Sequence, residues 1–455
     1  MKMIRILLGL MIALSINSTA TAENLMDIYQ RALRQDPSLR EAEANRLATL
    51  ENKPQAVSAL LPQLDTGGSY GYRESDGSSV VPGILGDVSV GFDQNTTTLN
   101  WDVQLRQSVF NWDQWVALRR ADKQVAQAEA DYRAAQQDLA VRVATAYFDV
   151  LAAHDTLESE QAAKEAIARQ LEQANKRFEV GLIAITDVQE AQSGYDQAVA
   201  AEILAKRNLA NRKESLREII GEYPENLVFP REEIPLVSPQ PEIQDEWVDM
   251  ALQQNLVLLS AELGAQITSD NVAFQRTGHF PTLNLQGSYN GLDSTGENTR
   301  GTTGITTTID NDSSGYNVSL QLRVPIYSGG SVSSRTKQAV YQHRAARERF
   351  ERTARQTERE TRDAYLGVVS EIARVKALKQ ARASAQTALE ATEAGFDVGT
   401  RTTVDVLNQR RQVFIADVNY ARSRYDYIIN VLRLKQAAGS LIVDDLVEVN
   451  GWLEP

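Results

Sequence analysis

RFEVGLIAITDVQEAQ at Arg177–Gln192 returns as GFDVGTRTTVDVLNQR at Gly395–Arg410. Phe178 matches Phe396, Glu179 matches Asp397, Val180-Gly181 matches Val398-Gly399, and Asp187-Val188 matches Asp405-Val406. In each copy a glycine follows a long helical pattern, where it ends a helix by entering the left-handed conformation without a Cβ clash. An aspartate a few residues later suits the first turn of the next helix, whose exposed N–H groups favour negative charge. Each stretch therefore reads as the tip of a long helical hairpin.

Working outward, residues 113–178 carry Val125, Ala128, Tyr132, Ala135, Leu139, Val143, Ala146, Val150 and Leu157 near a 3.5-residue repeat, the spacing of a coiled-coil seam. At 1.5 Å per residue such a helix spans about 100 Å. Ile185–Ile220 returns as its partner. A second pair runs from about Ser331 to Gly395 and from Asp405 to about Ala438, with Glu348–Arg352, Glu351–Arg355 and Glu358–Arg362 at i, i+4 on its exposed face. Gly221–Gln244 is a proline-rich linker.

Ahead of each hairpin the period changes from helical to two. Leu64, Thr66, Gly68, Tyr70 and Tyr72 alternate with polar residues and glycines, as do Leu99, Trp101, Val103 and Leu105. In the second half Leu283, Leu285 and Tyr289, then Tyr316, Val318, Leu320, Leu322, Val324 and Ile326, do the same. Period two means strands, expected at about 63–73, 96–110, 282–291 and 315–327. The Gly/Ser/Asp-rich Arg73–Asn95 and Gly291–Gly315 between them read as long exposed loops. Asn24–Leu61 reads as a helix kinked at Pro37 and ended by Pro54 or Pro62. The landmarks repeat after about 218 residues, a gene-scale duplication rather than a solenoid. The expected organisation is a signal peptide over 1–22, one structural repeat over 23–240 and a second over 241–455, the hairpins occupying about 113–220 and 331–438.

The signal rests on Lys2 and Arg5, the apolar run Ile6–Ile16 and the small-x-small site Ala20-Thr21-Ala22. That run is too short to span a bilayer, and no later stretch approaches the roughly 20 apolar residues a transmembrane helix needs. Removing the signal leaves 45 basic against 60 acidic residues, a net charge of −15, which argues against nucleic acid as a partner. With no cysteine there is no disulfide framework, no thiolate metal site and no lipidated N-terminal cysteine. His154, His279 and His343 lack metal-ligand spacing, and His154 reads as a packing or solvent residue within the long helix. No nucleophile elbow, phosphate loop or His/Glu cluster points to an enzyme, and no cofactor is expected.

Segments of about ten residues with one apolar and one polar face have the pattern of tilted outer-membrane strands. A free four-stranded sheet cannot sit in lipid, because its edge N–H and C=O groups would be unpaired. The strands therefore ask for an oligomer in which each chain supplies one group of staves. The rival reading is a soluble periplasmic coiled-coil adaptor or structural protein, which has no need of the alternating segments.

The duplicated VGL…ITDVQ and VGTRT.VDVLN tips, the entries into strands at Pro62 and Pro281, and Val324-Pro325-Ile326-Tyr327 with Gly329-Gly330 resemble the TolC-type outer-membrane efflux and secretion channels. The resemblance covers essentially the whole mature chain. It implies an α+β, mainly α fold: a trimeric 12-stranded transmembrane β-barrel, four strands per chain, continuing into a long periplasmic α-helical barrel. It also implies location in the outer membrane, contact with its lipid, and work as the exit channel of a tripartite efflux or type I secretion system. A periplasmic adaptor (membrane fusion) protein and an inner-membrane pump would be its partners.

In the family the hairpin tips close the pore. Carried onto matching positions, Thr186 and Asp187 of the first tip and Arg401 and Asp405 of the second become gate residues. Arg401 would link to Thr186 and Asp187 of a neighbouring hairpin, and Asp405 would supply one carboxylate per chain to a cation-favouring ring. Two positions depart from the pattern: the family's tip tyrosine is Phe396, and its second ring acid is Asn408. A weaker cation block and a less firmly held closed state are expected. Val180, Gly181 and Leu182, with Val398, Gly399 and Thr400, are the expected adaptor contacts, the glycines exposing backbone for close helix approach. Both glycines equally serve as helix stops.

Overall fold

A computed structural model describes residues 23–82, 84, 86–224, 226–301 and 304–453. The signal segment lies outside the described residues. Two compact units are present. Within the described residues, one combines Leu47–Ala128 with Glu262–Glu348; the other combines residues 23–46, Glu129–Ala261 and residues 349–453.

In chain order the elements are α1 (Leu25–Gln35), α2 (Pro37–Leu50), α3 (Asn52–Ser58), β1 (Gln63–Val81), β2 (Val88–Phe110), α4 (Trp112–Glu179) and α5 (Ile185–Ile220). The second half has α6 (Gln244–Gln254), α7 (Leu256–Arg276), a 3₁₀ turn (Thr277–His279), β3 (Thr282–Arg300), β4 (Ile305–Arg323), α8 (Ser331–Asp397), α9 (Thr403–Ala437) and α10 (Val443–Asn450). The duplication survives in the element lengths: α4 and α8 have 68 and 67 residues, and α5 and α9 have 36 and 35.

The first-mentioned unit is built on one antiparallel sheet in the order β1-β2-β3-β4. Its register sets Leu64 opposite Leu105, Tyr70 opposite Leu99, Leu285 opposite Leu320 and Tyr289 opposite Tyr316. Directly opposed residues share a face, so these side chains form one apolar surface, while Asp102, Gln104, Asn284, Gln286 and Ser319 lie on the other. The Trp101 and Tyr289 rings pack at 5.3 Å between centroids. The indole lies over Gly291, where an added Cβ would collide with it.

The strands are longer than the alternation predicts, 19 to 23 residues each. Arg73–Val81 and Val88–Asn95 are paired strand rather than loop, with Arg73 opposite Thr96 and Val81 opposite Val88. Likewise Arg300 pairs with Ile305. The physical reason is that a ladder needs only backbone donors and acceptors. Over most of these segments Ser, Thr, Asp and Gly keep the pairing without supplying an apolar face, Val88, Val90 and Phe92 being a short exception, so the side-chain pattern there is too weak to reveal it. The N-terminal region also differs from one kinked helix. Asp36 is extended between α1 and α2 and caps the second, accepting from Leu39 N–H at 2.7 Å. Pro54 sits in the first turn of α3, where a missing N–H costs nothing.

The second unit holds the core. Leu25, Ile28 and Ala32 of α1 are buried with Leu139, Tyr147, Phe148 and Leu151 of α4, Leu216 and Ile220 of α5, Ile428 and Leu432 of α9, and Leu446 of α10. Tyrosine hydroxyls fasten the linker to it: Tyr147 donates to the Val228 carbonyl at 2.6 Å, and Tyr427 to that of Val237 at 3.1 Å. Asp36 is buried against Arg142, which donates at 3.0 and 3.1 Å. Burial alone would push this carboxyl up, but Arg142 and the Leu39 N–H outweigh it and hold it below its ordinary value.

Candidate functional site: the two hairpin tips

At the first tip, α4 ends at Glu179 and Gly181 turns the chain at φ +73°. Gly181 N–H donates to the Phe178 carbonyl at 2.8 Å and Leu182 N–H to that of Arg177 at 2.9 Å, satisfying carbonyls a helix end would leave unpaired. The N-cap of α5 is Ala184, which has no side-chain acceptor. Asp187 bonds back to the Ala184 N–H at 3.2 Å. A small apolar cluster of Ala174, Val188 and Ala191, with Leu171 and Ile183 against it, holds the two helices together. Val180 and Leu182 project into solvent, and Thr186 is exposed.

The second tip uses the same turn with different chemistry. Gly399 takes φ +80°, and its N–H donates to the Phe396 carbonyl at 3.1 Å. Thr400 and Arg401 N–H groups both donate to the Gly395 carbonyl, at 2.8 and 3.2 Å, and the Thr400 hydroxyl joins them at 3.0 Å. Thr402 and Asp405 then form a full capping box. Asp405 N–H donates to Thr402 Oγ1 at 3.2 Å, and the Thr402 N–H and hydroxyl donate to Asp405 Oδ2 at 2.9 and 3.0 Å. These bonds, with the nearby Arg401 charge, hold the Asp405 carboxyl below its ordinary range, so it stays ionised. Val398 and Arg401 are exposed, and Arg401 reaches neither Thr186 nor Asp187 of its own chain through any hydrogen bond or ion pair among the described residues.

The structure joins the tips through a contact that the sequence did not announce. The Arg177 guanidinium of the first hairpin lies 4.7 Å from the centre of the Phe396 ring of the second. Phe396 cannot make a tyrosine's hydrogen bond, yet its ring face receives a cation. The signal was a basic residue one turn before one tip glycine and an aromatic three before the other, both inside helical patterns that look merely solvated. Behind the tips, Ile167, Glu190, Gly194, Leu407, Asn408 and Phe414 line part of a cleft of about 650 Å³ between the hairpins of one chain. Asn408 thus sits at the cleft wall, one turn from Asp405. Farther back, Lys164 and Lys206 both reach the buried Glu202, at 2.6 and 2.7 Å, and hold its carboxyl down to about 2.

The protein-family model described as outer membrane efflux protein matches residues 28–222 and 247–440. The chain belongs to the outer membrane efflux protein family. It is 38% identical to the outer membrane protein TolC of Vibrio cholerae over 97% of this chain and 96% of the relative. To the outer membrane protein TolC of Escherichia coli it is 39% identical over 99% and 89%. The outer membrane channel CmeC of Campylobacter jejuni superposes with a TM-score of 0.72 at 18% identity, covering 94% of this chain and 89% of that one. The fold class follows: mainly α, with four sheet strands per chain. This is an outer-membrane exit channel for efflux or type I secretion, extending into the periplasm, and not an enzyme. A soluble adaptor is not favoured.

Proposed function

We propose that three copies of this chain close one twelve-stranded barrel and one helical barrel, forming an exit duct whose periplasmic end is shut by the tips. The observation that carries this is the sheet: β1 and β4 are unpaired edges, and one face is apolar from Leu64 through Leu322. In lipid both edges must be paired, and symmetry-related copies supply the partners. Heat-modifiable trimers in the outer-membrane fraction are the expected result; a soluble periplasmic monomer overturns the reading.

At the tips, Arg401 of one hairpin is the cation that links to Thr186 and Asp187 of a neighbouring chain's hairpin. Its exposure, and the lack of any hydrogen bond or ion pair from its guanidinium among the described residues, support this role. Asp405, held ionised by its cap, supplies one carboxylate per chain to a constriction ring. Asn408 adds no charge, so the ring carries three. Val180, Gly181 and Leu182 with Val398, Gly399 and Thr400 form the surface an adaptor grips when the inner-membrane pump engages. Bulky replacements of Gly181 and Gly399 that preserve trimers should abolish export-dependent resistance. Persistence of resistance would remove these residues from the docking surface.

A further inference from the structure

His154, Asp155 and Glu158 of α4 converge, with one ligand atom from each lying within 4.8 Å of the others. The helix explains this. His154 and Glu158 stand one turn apart on the same stripe, and Asp155 lies about 100° round from His154. All three therefore fit within about a quarter of the helix circumference. Two further contacts settle how the group is held. The His154 ring packs against Phe229 with 5.1 Å between centroids, which restrains the imidazole. The Tyr425 hydroxyl of α9 donates to Asp155 Oδ2 at 2.6 Å, restraining the carboxylate and leaving lone pairs on its other oxygen.

We infer that His154 and Glu158, with Asp155 as third ligand, form a site for a borderline divalent transition-metal ion of the zinc or nickel type. One imidazole and two carboxylates suit such an ion, while oxygen-seeking magnesium and calcium gain nothing from the imidazole. Ligand atoms this close need only small side-chain rotations to reach the roughly 2.0–2.2 Å of zinc–nitrogen and zinc–oxygen bonds. The Tyr425–Asp155 bond is the outer-shell support that orients a metal-binding carboxylate. Through it the ion would tie α4 to α9. The Arg424 guanidinium interacts with Asp155 electrostatically from α9, opposing the cation and keeping the affinity moderate.

His154 is both exposed and packed on Phe229, in keeping with a packing or solvent residue within the long helix. The acids one and four positions on lie outside any histidine spacing.

The test uses the purified full-length trimer in detergent and zinc alone, measured by equilibrium dialysis with a large excess of magnesium present. One zinc per chain is expected for the wild type. His154→Ala and Glu158→Gln, both at exposed positions, should each weaken zinc binding by about tenfold or more while leaving trimer assembly unchanged. Zinc should raise the thermal midpoint of the wild type and not of His154→Ala. Wild-type stoichiometry well below one, or equal binding by His154→Ala, would overturn the site.

Discussion

The two hairpin tips descend from one duplicated segment and keep the same glycine turn, at φ +73° and +80°, yet they are held by different forces. The first starts its return helix at Ala184, with no side-chain cap, and relies on Ile183, Val188 and Ala191 packing against α4. Among the described residues the second shows no separate apolar cluster, although Val406 is buried there. It relies on the Thr402–Asp405 box, on Thr400 and Arg401 bonding to Gly395, and on the doubled Arg410–Glu393 contact at 2.7 and 3.0 Å. Apolar packing is non-directional and tolerates sliding, whereas capping bonds hold carboxylate and guanidinium in defined places. In the proposed gate one tip can shift without losing its core, while the other holds the Asp405 carboxylate in place and leaves the Arg401 guanidinium exposed.

The largest effect should come from removing the polar link at both ends. Arg401→Ala with Thr186→Ala is expected to raise single-channel conductance severalfold in planar bilayers, whereas Val180→Ala, a change at the packed tip alone, should not. Unchanged conductance in the double variant would break the division between the tips. Next, Asp405→Asn should abolish most block by multivalent cations, since it removes every carboxylate of the ring, while Asp187→Asn should leave block largely intact. Equal losses in the two variants would mean that the tips share the ring.

Smaller effects sharpen the same contrast. Thr402→Ala should cost about 1 kcal/mol of local helix stability, and Ala184→Ser should add a similar amount to α5. Hydrogen exchange in the first turns of α9 and α5 reads both. A double-mutant cycle on Arg177→Gln and Phe396→Leu should give a coupling of about 1 kcal/mol, as for a half-buried cation–ring pair. Acid separates the hairpins too. Glu202 falls from 4.5 to about 2 on folding, so its bonds to Lys164 and Lys206 stabilise the first hairpin fully above about pH 4.5 and are lost as pH falls through about 2. Glu202→Gln should remove that dependence, as followed by the acid unfolding of α5.

Hydrophobic period made the hairpins and the lower halves of the strands legible, because Val143, Leu139, Leu99 and Leu285 must be buried or meet lipid. Strand above Arg73 and Gly291 was not legible, since hydroxyls and glycines pair through the backbone alone. Tip residues Gly181, Gly399, Asp187 and Asp405 could be placed from helix-end chemistry. Their functional roles came from resemblance, because first-turn acids and helix-stop glycines are common. Arg177 on Phe396 required knowing which faces turn toward one another, whereas the His154–Glu158 cluster lies within one helix and needed only its spacing.

The polar upper halves of the strands have a mechanical consequence. Nineteen residues at about 3.3 Å each make a strand of about 60 Å, or about 45 Å of height at the usual tilt. The apolar band of such barrels is only about 25 Å tall. In the proposed barrel roughly 20 Å of hydrogen-bonded wall would therefore stand above the lipid. The outer rim would then be a hydrogen-bonded chimney rather than a fringe of loops, and cargo would leave it clear of the headgroups, with little chance to partition back into the membrane.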